Sequence, residues 1–278
     1  MGFRLATIAD RAVLVDGDGW HDLAAASDGA FTGDPMEAVR RHAELHAVAE
    51  TLGDRAPDGL VADATFGPPV PAPRSVFAVG LNYADHVGEA QMEVPENPLI
   101  FTKFPSCLVG PTDDVVLNST AGDYEAELVV VIGEGGRDIA ADDAWGHVMG
   151  CMVGQDISDR ALQFAAKPPH FDLGKSRDTY GPCGPVLVST DLIADPADLA
   201  ITCDVNGERR QSGNTSQLIF DVPTLIAYLS SILTLETGDL IFTGTPDGVG
   251  AAQMMFLAPG DVVETSIEGL GTMRNVCV

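Results

Sequence analysis

The sequence predicts a mainly β protein with helical insertions, an α+β fold in which a small N-terminal α/β module precedes one large domain. From Ser75 onward, short apolar runs rich in β-branched residues alternate with turns of Gly, Pro and Asp, which is typical of many short strands. Helix-like runs are few in this stretch. Residues 66–74 hold four prolines, a composition typical of a linker. We therefore predict an N-terminal module over residues 1–70 and a main domain over residues 71–278.

The N-terminal module is expected to contain a hairpin followed by a helix. Two short apolar runs, 4–8 and 12–16, are separated by a polar turn and predict the hairpin. Apolar residues recur near helical spacing over 35–52. His42 and His46 lie four positions apart on this helix, a separation that can bind a metal. No HExxH pattern or third ligand accompanies them, so we interpret them as surface histidines.

In the main domain, apolar runs predict strands at residues 75–79, 99–102, 115–117, 127–132, 150–155, 185–188, 200–205, 240–243 and 262–267. Helices are predicted mainly at residues 142–148 and 222–234, with a further helix after Asp156 that carries Gln163. This excess of strands over helices favours a β domain with helical insertions.

The charge of the chain limits its partners. Its 41 acidic and 15 basic residues give a formal net charge of −26, which makes nucleic acid and anionic membranes poor partners. The acidic surface is typical of salt adaptation, although a GC-rich genome would also favour arginine over lysine. The few lysines, Lys103, Lys167 and Lys175, all fall in the part of the chain that carries the motifs described below. This placement indicates a chemical role, unless three residues have clustered by chance.

Cysteine usage and hydropathy indicate the cellular compartment. The five cysteines are odd in number and show no CxxC spacing, which is typical of free thiols in a reducing environment. No basic-then-apolar leader opens the chain, and no apolar run reaches the ~18 residues of a membrane span. These features predict a soluble, cytoplasmic protein.

Two acidic stretches predict a metal site made of oxygen ligands. Glu125 and Glu127 begin an apolar strand-like run, and alternation along a strand places them on one face with Cβ atoms roughly 6.5–7 Å apart. Asp156 ends a second apolar run and could complete a set of three carboxylates. Such a set suits Mg²⁺, Mn²⁺ or Ca²⁺ better than zinc, because no Cys or His lies at ligand spacing. The alternative is a hydrated strand end with both glutamates in water.

Six motifs that occur in order resemble the fumarylacetoacetate hydrolase family. They are VGLNYADH at 79–86, DYEAEL at 123–128, QDIS at 155–158, RALQ at 160–163, GKS at 174–176 and GDLIFTGTPDGVG at 238–250. The resemblance covers about residues 74–278. It implies a mixed β-sandwich roll with the active site at one open end, metal ligands at Glu125, Glu127 and Asp156, and a homodimer.

His86 and Glu89 are expected to form a general-base pair. If they lie on a short helix, their separation of three positions puts both side chains on one face, where the carboxylate would raise the basicity of the imidazole. Read alone, the pair favours a surface loop with an ordinary salt bridge. The resemblance implies that the two residues activate water on a lid segment, and the stretch after them, up to Pro98, is rich in Gly, Glu and Pro and could be that lid.

The resemblance also places Lys175 in the active site, where an ammonium group could stabilise an oxyanion or a substrate carboxylate. A solvated loop lysine is the alternative. Gln163 can offer an amide N–H to a substrate oxygen, or it can be structural. Arg160 is expected to neutralise Asp156 or Asp159.

A substrate-binding role is predicted for a further set of residues. The glycine-rich stretch around Gly244 and Thr245 lets the backbone approach a ligand closely and could cradle a carboxylate, unless it is only a turn between strands. Asn82 and Tyr83 belong to the first motif and are assigned to the same role. The match departs at Arg177, where the family commonly has an aromatic residue, so Arg177 and the lid are expected to set the substrate preference.

Together these features predict a metal-dependent hydrolase that cleaves a carbon–carbon bond in a 2,4-dioxo acid, such as an acylpyruvate or fumarylpyruvate, to give pyruvate and a carboxylic acid. An isomerase, decarboxylase or dehydratase of a 2-keto acid is the nearest alternative. The His86–Glu89 pair favours hydrolysis, because isomerisation and decarboxylation need no activated water. A non-catalytic protein that binds a metal or ligand is a third possibility, and it would leave His86, Glu89 and Lys175 without a role.

Overall fold

The computed structural model describes residues 2–53, 55–85 and 95–278 of the chain. Within these residues the strands are β1 Arg4–Ile8, β2 Arg11–Asp16, β3 Gly19–Asp22, β4 Gly59–Leu60, β5 Phe66–Gly67, β6 Val76–Gly80, β7 Leu99–Thr102, β8 Leu108–Val109, β9 Gly122–Asp123, β10 Ala126–Ile132, β11 Val148–Gln155, β12 Ser158–Asp159, β13 Gly181–Ser189, β14 Ala200–Val205, β15 Glu208–Asn214, β16 Leu240–Phe242, β17 Val262–Ile267 and β18 Gly271–Val276. The α-helices are α1 Leu23–Ala26, α2 Pro35–Arg40, α3 His42–Leu52, α4 Arg160–Gln163, α5 Val222–Ile232 and α6 Gly250–Gln253.

A large mixed sheet forms the centre of the molecule. Its strands follow the order β4-β3-β2-β1-β13-β11-β10-β16-β6-β7, with β5 paired to β1 and β8 paired to β13. A second sheet has the order β15-β14-β17-β18, and β9 pairs with β12 in a short ribbon. The fold is therefore mainly β with mixed sheets and a few helices, as the sequence predicts.

Strand β10 lies at the middle of the core and is buried along its whole length. Leu128, Val130 and Ile132 point into one apolar cluster, which includes residues of the four-stranded sheet. Val129 and Val131 point into the opposite cluster, which includes residues of α1, α2 and α3. Because both faces of β10 are covered, its sequence is a continuous apolar run rather than an alternating one. The two layers fix the strand whose N-terminal end carries the acidic residues.

The N-terminal segment joins this architecture through β1. The predicted hairpin is present as β1 and β2, and β1 also pairs antiparallel with β13 of the main sheet. The helix predicted over 35–52 is two helices, because Arg41 between them has a non-helical backbone with φ −111° and ψ 25°. The domain boundary at residue 70 stays a prediction.

Most predicted strands are present, three of them (β7, β14 and β17) with the predicted bounds and the others with shifted ends. The exceptions have local causes. Residues 115–117 form only a single bridge, between Val115 and Cys277. Strands β15 and β18 were not predicted, because these edge strands of the second sheet have largely polar sequences. The predicted helix at 142–148 is a 3-10 helix over Ala141–His147. Among the helices of the residues that the structure describes, none has the length and apolar character needed to span a membrane.

Candidate metal centre

Three carboxylates meet where β10 begins and β11 ends. Glu125, Glu127 and Asp156 each place one oxygen within 4.8 Å of the others, and all three side chains are buried. The backbone N–H of Asp156 donates to the carbonyl of Glu125 at 2.9 Å, which ties the two strand ends together. The alternation predicted for Glu125 and Glu127 therefore holds, and these glutamates do not form a hydrated strand end. We call these three residues the carboxylate triad.

Two buried lysines contact the triad. Lys175 Nζ lies 2.6 Å from Glu125 Oε2 and 2.6 Å from Asp156 Oδ2. Lys103 Nζ lies 2.7 Å from Asp156 Oδ1 and also donates to the backbone carbonyls of Lys175 and Tyr180. Burial is the largest effect on the pKa of Lys103 and lowers it, but Asp156, Cys107 and Glu127 together outweigh burial, and the net pKa is raised. The Lys103 ammonium therefore stays charged beside Asp156.

Arg160, at the start of α4, connects the triad to Gln163. Its Nε donates to Asp123 Oδ2 at 2.8 Å, its Nη2 to Glu125 Oε1 at 2.6 Å and its Nη1 to Gln163 Oε1 at 3.0 Å. The expectation that Arg160 neutralises Asp156 or Asp159 is wrong, because the fork of its guanidinium is filled by these three partners. Gln163 accepts through Oε1, so its Nε2 group is the part of the amide left to donate elsewhere.

Glu127 differs from the other two members of the triad. Its Oε2 accepts from the backbone N–H of Gly244 at 2.8 Å, and no ion pair reaches it from the described part of the chain. Burial, followed by the neighbouring charges of Asp156 and Glu125, raises the pKa of Glu127 well above its ordinary value. An uncompensated carboxylate in such a place has a strong electrostatic reason to bind a cation.

A count of charges tests whether a divalent ion fits. The buried carboxylates of this cluster are Asp123, Glu125, Glu127 and Asp156, whereas Asp159, which is also buried, has its own partner in Arg177. The cations that pair with them are Lys103, Lys175 and Arg160. The group therefore carries one negative charge in excess, and the ligands it offers are all oxygens. This donor set fits Mg²⁺, Mn²⁺ or Ca²⁺.

The glycine-rich loop over 243–250 is fastened to the acidic strand. Gly244 has φ +102°, and a Cβ placed there would lie 2.8 Å from the Cβ of Asn82, so only glycine allows this approach. Thr245 Oγ1 donates to the carbonyl of Ala126 at 2.8 Å. Asp123 accepts from the backbone N–H of Gly250 at 2.7 Å. The loop is thus an ordered wall beside the triad.

A cavity of about 520 Å³ opens above the triad. Its polar lining consists of Glu125, Glu127, Arg160, Gln163, Lys175 and Thr245. Its other lining residues are Val79, Gly80, Leu81, Phe101, Phe164, Pro169, Phe171, Val249, Ala251 and Ala252. This volume lies within the range of roughly 300–1,000 Å³ that is typical of small-molecule sites.

The motif order, the buried triad and the cavity agree with a comparison against protein families. The family model described as fumarylacetoacetate (FAA) hydrolase C-terminal matches residues 75–278. This chain belongs to the fumarylacetoacetate hydrolase family.

Relatives within the fumarylacetoacetate hydrolase family have several activities. The chain is 45% identical over 240 residues to the mitochondrial oxaloacetate tautomerase FAHD2B of Bos taurus, covering 85% of this chain and 76% of the relative. It is 46% identical over 215 residues to the 2,4-didehydro-3-deoxy-L-rhamnonate hydrolase of Sphingomonas sp. (strain SKA58), covering 76% and 75%.

Solved structures agree with this assignment. The maleylpyruvate hydrolase of Sphingobium sp. SYK-6, solved with manganese(II) and pyruvate, has a TM-score of 0.81 and 30% identity and covers 99% of this chain and 98% of that chain. The family therefore contains enzymes of hydrolase and tautomerase type.

The predicted substrate-binding residues outside the triad lie in different surroundings. Asn82 is buried, and its side chain bonds to the backbone of Thr243 and Phe220. Tyr83 is also buried, and neither residue lines the cavity. Arg177 pairs with Asp159 at 2.8 Å and is likewise absent from the lining. Substrate contacts by these three residues stay predictions. His86 and Glu89 lie outside the described residues.

Sequence reasoning underrated the residues that support the triad. Asp123 belongs to the second motif and was assigned no role of its own, yet it joins Arg160 to the glycine-rich loop. Lys103 was singled out only by the rarity of lysine in the chain. The rarity of lysine is the signal that could have identified Lys103. In a chain with so few lysines, this one is fully buried and paired with Asp156.

Proposed function

We propose that this chain is a divalent-metal-dependent hydrolase that cleaves a carbon–carbon bond in a 2,4-dioxo acid and releases pyruvate and a carboxylic acid. The observation that carries the proposal is the buried carboxylate triad, which opens into a cavity next to the Lys175 ammonium and the Gln163 amide. The relative solved with manganese(II) and pyruvate supports both the metal and the keto-acid end of the substrate.

We propose that Glu125, Glu127 and Asp156 hold the ion, and Mg²⁺ is our first choice. When bound, the ion supplies a Lewis acid that polarises the keto-acid oxygens and offsets negative charge on the pyruvate half. The Gly244 N–H fixes the orientation of the Glu127 carboxylate. Lys103 and Lys175 hold the two oxygens of Asp156. These contacts preorganise the ligands before the ion arrives.

The remaining polar groups would act on the acyl half of the substrate. Lys175 Nζ and Gln163 Nε2 are donors on the cavity wall and would stabilise the oxyanion formed when the distal carbonyl is attacked. Arg160 fixes the Gln163 amide so that its NH₂ group is the free end. Thr245 lines the cavity and would contact the substrate carboxylate. His86, supported by Glu89, would take the proton from water, a role that rests on the sequence motif.

Tautomerisation of a 2-keto acid is the second candidate, and the oxaloacetate tautomerase relatives favour it. Decarboxylation and dehydration use the same enolate-type charge stabilisation. The water-activating pair separates the candidates. His86→Ala should lower hydrolysis by roughly 10²–10⁴-fold, the usual contribution of general acid–base catalysis, whereas a tautomerase reaction that needs only the metal site should persist.

Product analysis in H₂¹⁸O tests the proposal. The purified protein would be incubated with Mg²⁺ and a panel of acylpyruvates, fumarylpyruvate and oxaloacetate, and the products would be identified by mass spectrometry. Hydrolysis predicts one ¹⁸O in the released carboxylic acid and an equal amount of pyruvate. Because tautomers have equal mass, interconversion of oxaloacetate tautomers would be followed by the absorbance of the enol. Interconversion with no cleavage of any 2,4-dioxo acid would replace the hydrolase proposal with the tautomerase. Glu127→Gln should abolish turnover of every substrate in the panel, and Glu264→Gln, a substitution of a partly exposed glutamate on β17, is its control.

We also propose a homodimer, because members of this family commonly associate through the main domain, and a cytoplasmic location. Light scattering at low and high salt tests the first statement. A monomer mass under both conditions would refute it. The tautomerase relatives carry mitochondrial names, so fractionation of the source cells is the matching test of location.

A further inference from the structure

The two lysines that contact the carboxylate triad are held in different ways. Lys103 Nζ has three acceptors, which are Asp156 Oδ1 at 2.7 Å and the backbone carbonyls of Lys175 and Tyr180. Because an ammonium group has three protons to donate, all the donors of Lys103 are used. Its side chain is fully buried and does not line the cavity. Lys103 is therefore a fixed part of the protein interior.

Lys175 has contacts of another kind. Among the described residues, the acceptors of its ammonium group are Glu125 Oε2 and Asp156 Oδ2, each at 2.6 Å. Both acceptors belong to the triad. The Lys175 side chain lines the cavity, and its Nζ lies 5.1 Å from the centroid of the Phe101 ring, which lines the cavity as well. Only these two hydrogen bonds would break if the ammonium group moved from the triad into the cavity.

An ion on the triad must share carboxylate oxygens with cations of the protein. Both oxygens of Asp156 are bonded, Oδ1 to Lys103 and Oδ2 to Lys175. Both oxygens of Glu125 are bonded as well, Oε1 to Arg160 and Oε2 to Lys175. Arg160, like Lys103, also has partners outside the triad that anchor it. Because like charges at close range repel each other, Lys175 is the cation that a bound ion would displace.

The charges of the buried cluster lead to the same conclusion. Without Lys175, the four carboxylates of the cluster exceed the cations Lys103 and Arg160 by two negative charges. A divalent ion would neutralise these two charges. Lys175 would then be a surplus cation in a buried place, where an unpaired charge is costly. An anionic ligand in the cavity would give this ammonium group a new partner.

We propose that Lys175 is a resident counter-ion that competes with the divalent ion for Glu125 and Asp156, and that loading of the ion releases the Lys175 ammonium group toward the cavity to receive an anionic substrate. The proposal rests on the proposed function and adds an order of binding to it, in which the anion site forms after the ion has bound. Competition also means that Lys175 weakens binding of the ion. Removal of this ammonium group should therefore strengthen it.

Calorimetric titration of Mg²⁺ tests the competition without turnover. Lys175→Met keeps an unbranched side chain and removes its charge, and it should bind Mg²⁺ about tenfold or more tightly than wild type. Lys167→Met is the matched control, because Lys167 is exposed, does not line the cavity and carries the same charge. The control should bind Mg²⁺ as wild type does.

Three results would overturn the proposal. Equal or weaker Mg²⁺ binding by folded Lys175→Met would show that Lys175 supports the ligands, and it would leave the triad as the metal site. An equal gain in Lys175→Met and Lys167→Met would show that net charge alone sets the affinity. Absence of Mg²⁺ binding by wild type would remove the metal site of the proposed function and the competition with it.

A second measurement uses the wild-type protein and so does not depend on the folding of a variant. Limited reaction with acetic anhydride, followed by mass spectrometry of peptides, reports the accessibility of all three lysines of the chain. Mg²⁺ should raise the acetylation of Lys175 severalfold, because the ammonium group leaves its two carboxylates. Lys167 should react equally with and without Mg²⁺, and Lys103 should stay unreactive. Acetylation of Lys175 that is unchanged or lowered by Mg²⁺ would overturn the proposed release.

Discussion

Arg41 and Arg160 each bind two carboxylates, but the first cluster lies on the surface and the second lies beside the candidate metal site. Arg41 bonds to Glu37 and Glu44, each at 2.7 Å, with a third of its side chain exposed. Arg160 bonds to Asp123 at 2.8 Å and to Glu125 at 2.6 Å, with 11% of its side chain exposed. We call these the surface cluster and the buried cluster.

The same chemistry has different consequences in the two places. Around Arg41, hydrogen bonds to Glu44 and Glu37 raise the pKa of the guanidinium, and water is free to replace either partner. Around Arg160, burial lowers the pKa but the two carboxylates more than offset it. A buried pair cannot exchange a lost partner for water, so its removal leaves an uncompensated charge. The comparison therefore teaches that Arg160 positions the site, whereas Arg41 holds together a helix junction at the surface, where it also contacts the Ala30 carbonyl and the Phe31 ring.

The largest expected effect follows from removal of the buried guanidinium. Arg160→Met should lower the free energy of unfolding by about 3–5 kcal/mol, the usual result of breaking a buried ion pair. Denaturant titration of the metal-free protein measures this change. A loss no larger than that of a surface substitution would mean that water or a neighbouring cation replaces Arg160.

Arg160→Lys should have a smaller effect on stability and a specific effect on catalysis. Lysine keeps the charge but lacks the planar fork that reaches three partners, so Gln163 would lose the bond that orients its amide. We expect kcat to fall more than KM rises. If KM alone changed, Arg160 would be acting on ground-state binding rather than on the orientation of Gln163.

The surface cluster provides the matched control. Arg41→Met removes the same side-chain charge from two carboxylates, but Glu44 is exposed and Glu37 is partly exposed, so water can reach both. Its unfolding midpoint in denaturant should move much less than that of Arg160→Met, and turnover should not change. Comparable shifts in the two variants would break the comparison.

The smallest effect is a pH dependence that belongs to the surface cluster. Bonds from the Thr32 hydroxyl and backbone N–H, followed by Arg41, lower the pKa of Glu37 from 4.5 to about 2. A depressed carboxyl pKa stabilises the fold above the unfolded value and loses this contribution as the pH falls from about 4.5 to 2. Thermal melts of Glu37→Gln should therefore differ most from wild type near neutral pH and converge with it in acid. A constant difference across this range would contradict the assignment.

The contrast between the two clusters also explains which features of the site and the fold could be predicted from the sequence. Alternation along β10 is a local property, so the shared face of Glu125 and Glu127 followed from spacing alone. The partners of Arg160 depend on how α4 packs against the strand ends, which spacing does not encode, and Asp156 and Asp159 were wrongly expected there. The single helix over 35–52 was wrong for a similar reason, because Arg41 leaves helical geometry between Glu37 and Glu44.

Calorimetric titration of Mg²⁺ into the metal-free protein tests the central claim most directly. The account predicts one ion bound per chain by wild type and by the surface control Glu264→Gln. Binding should be lost in Glu127→Gln. This substitution removes the one triad carboxylate that has no ion-pair partner among the described residues. Circular dichroism would establish that this variant is folded. Unchanged Mg²⁺ affinity in folded Glu127→Gln would contradict the assignment of the carboxylate triad as the metal site.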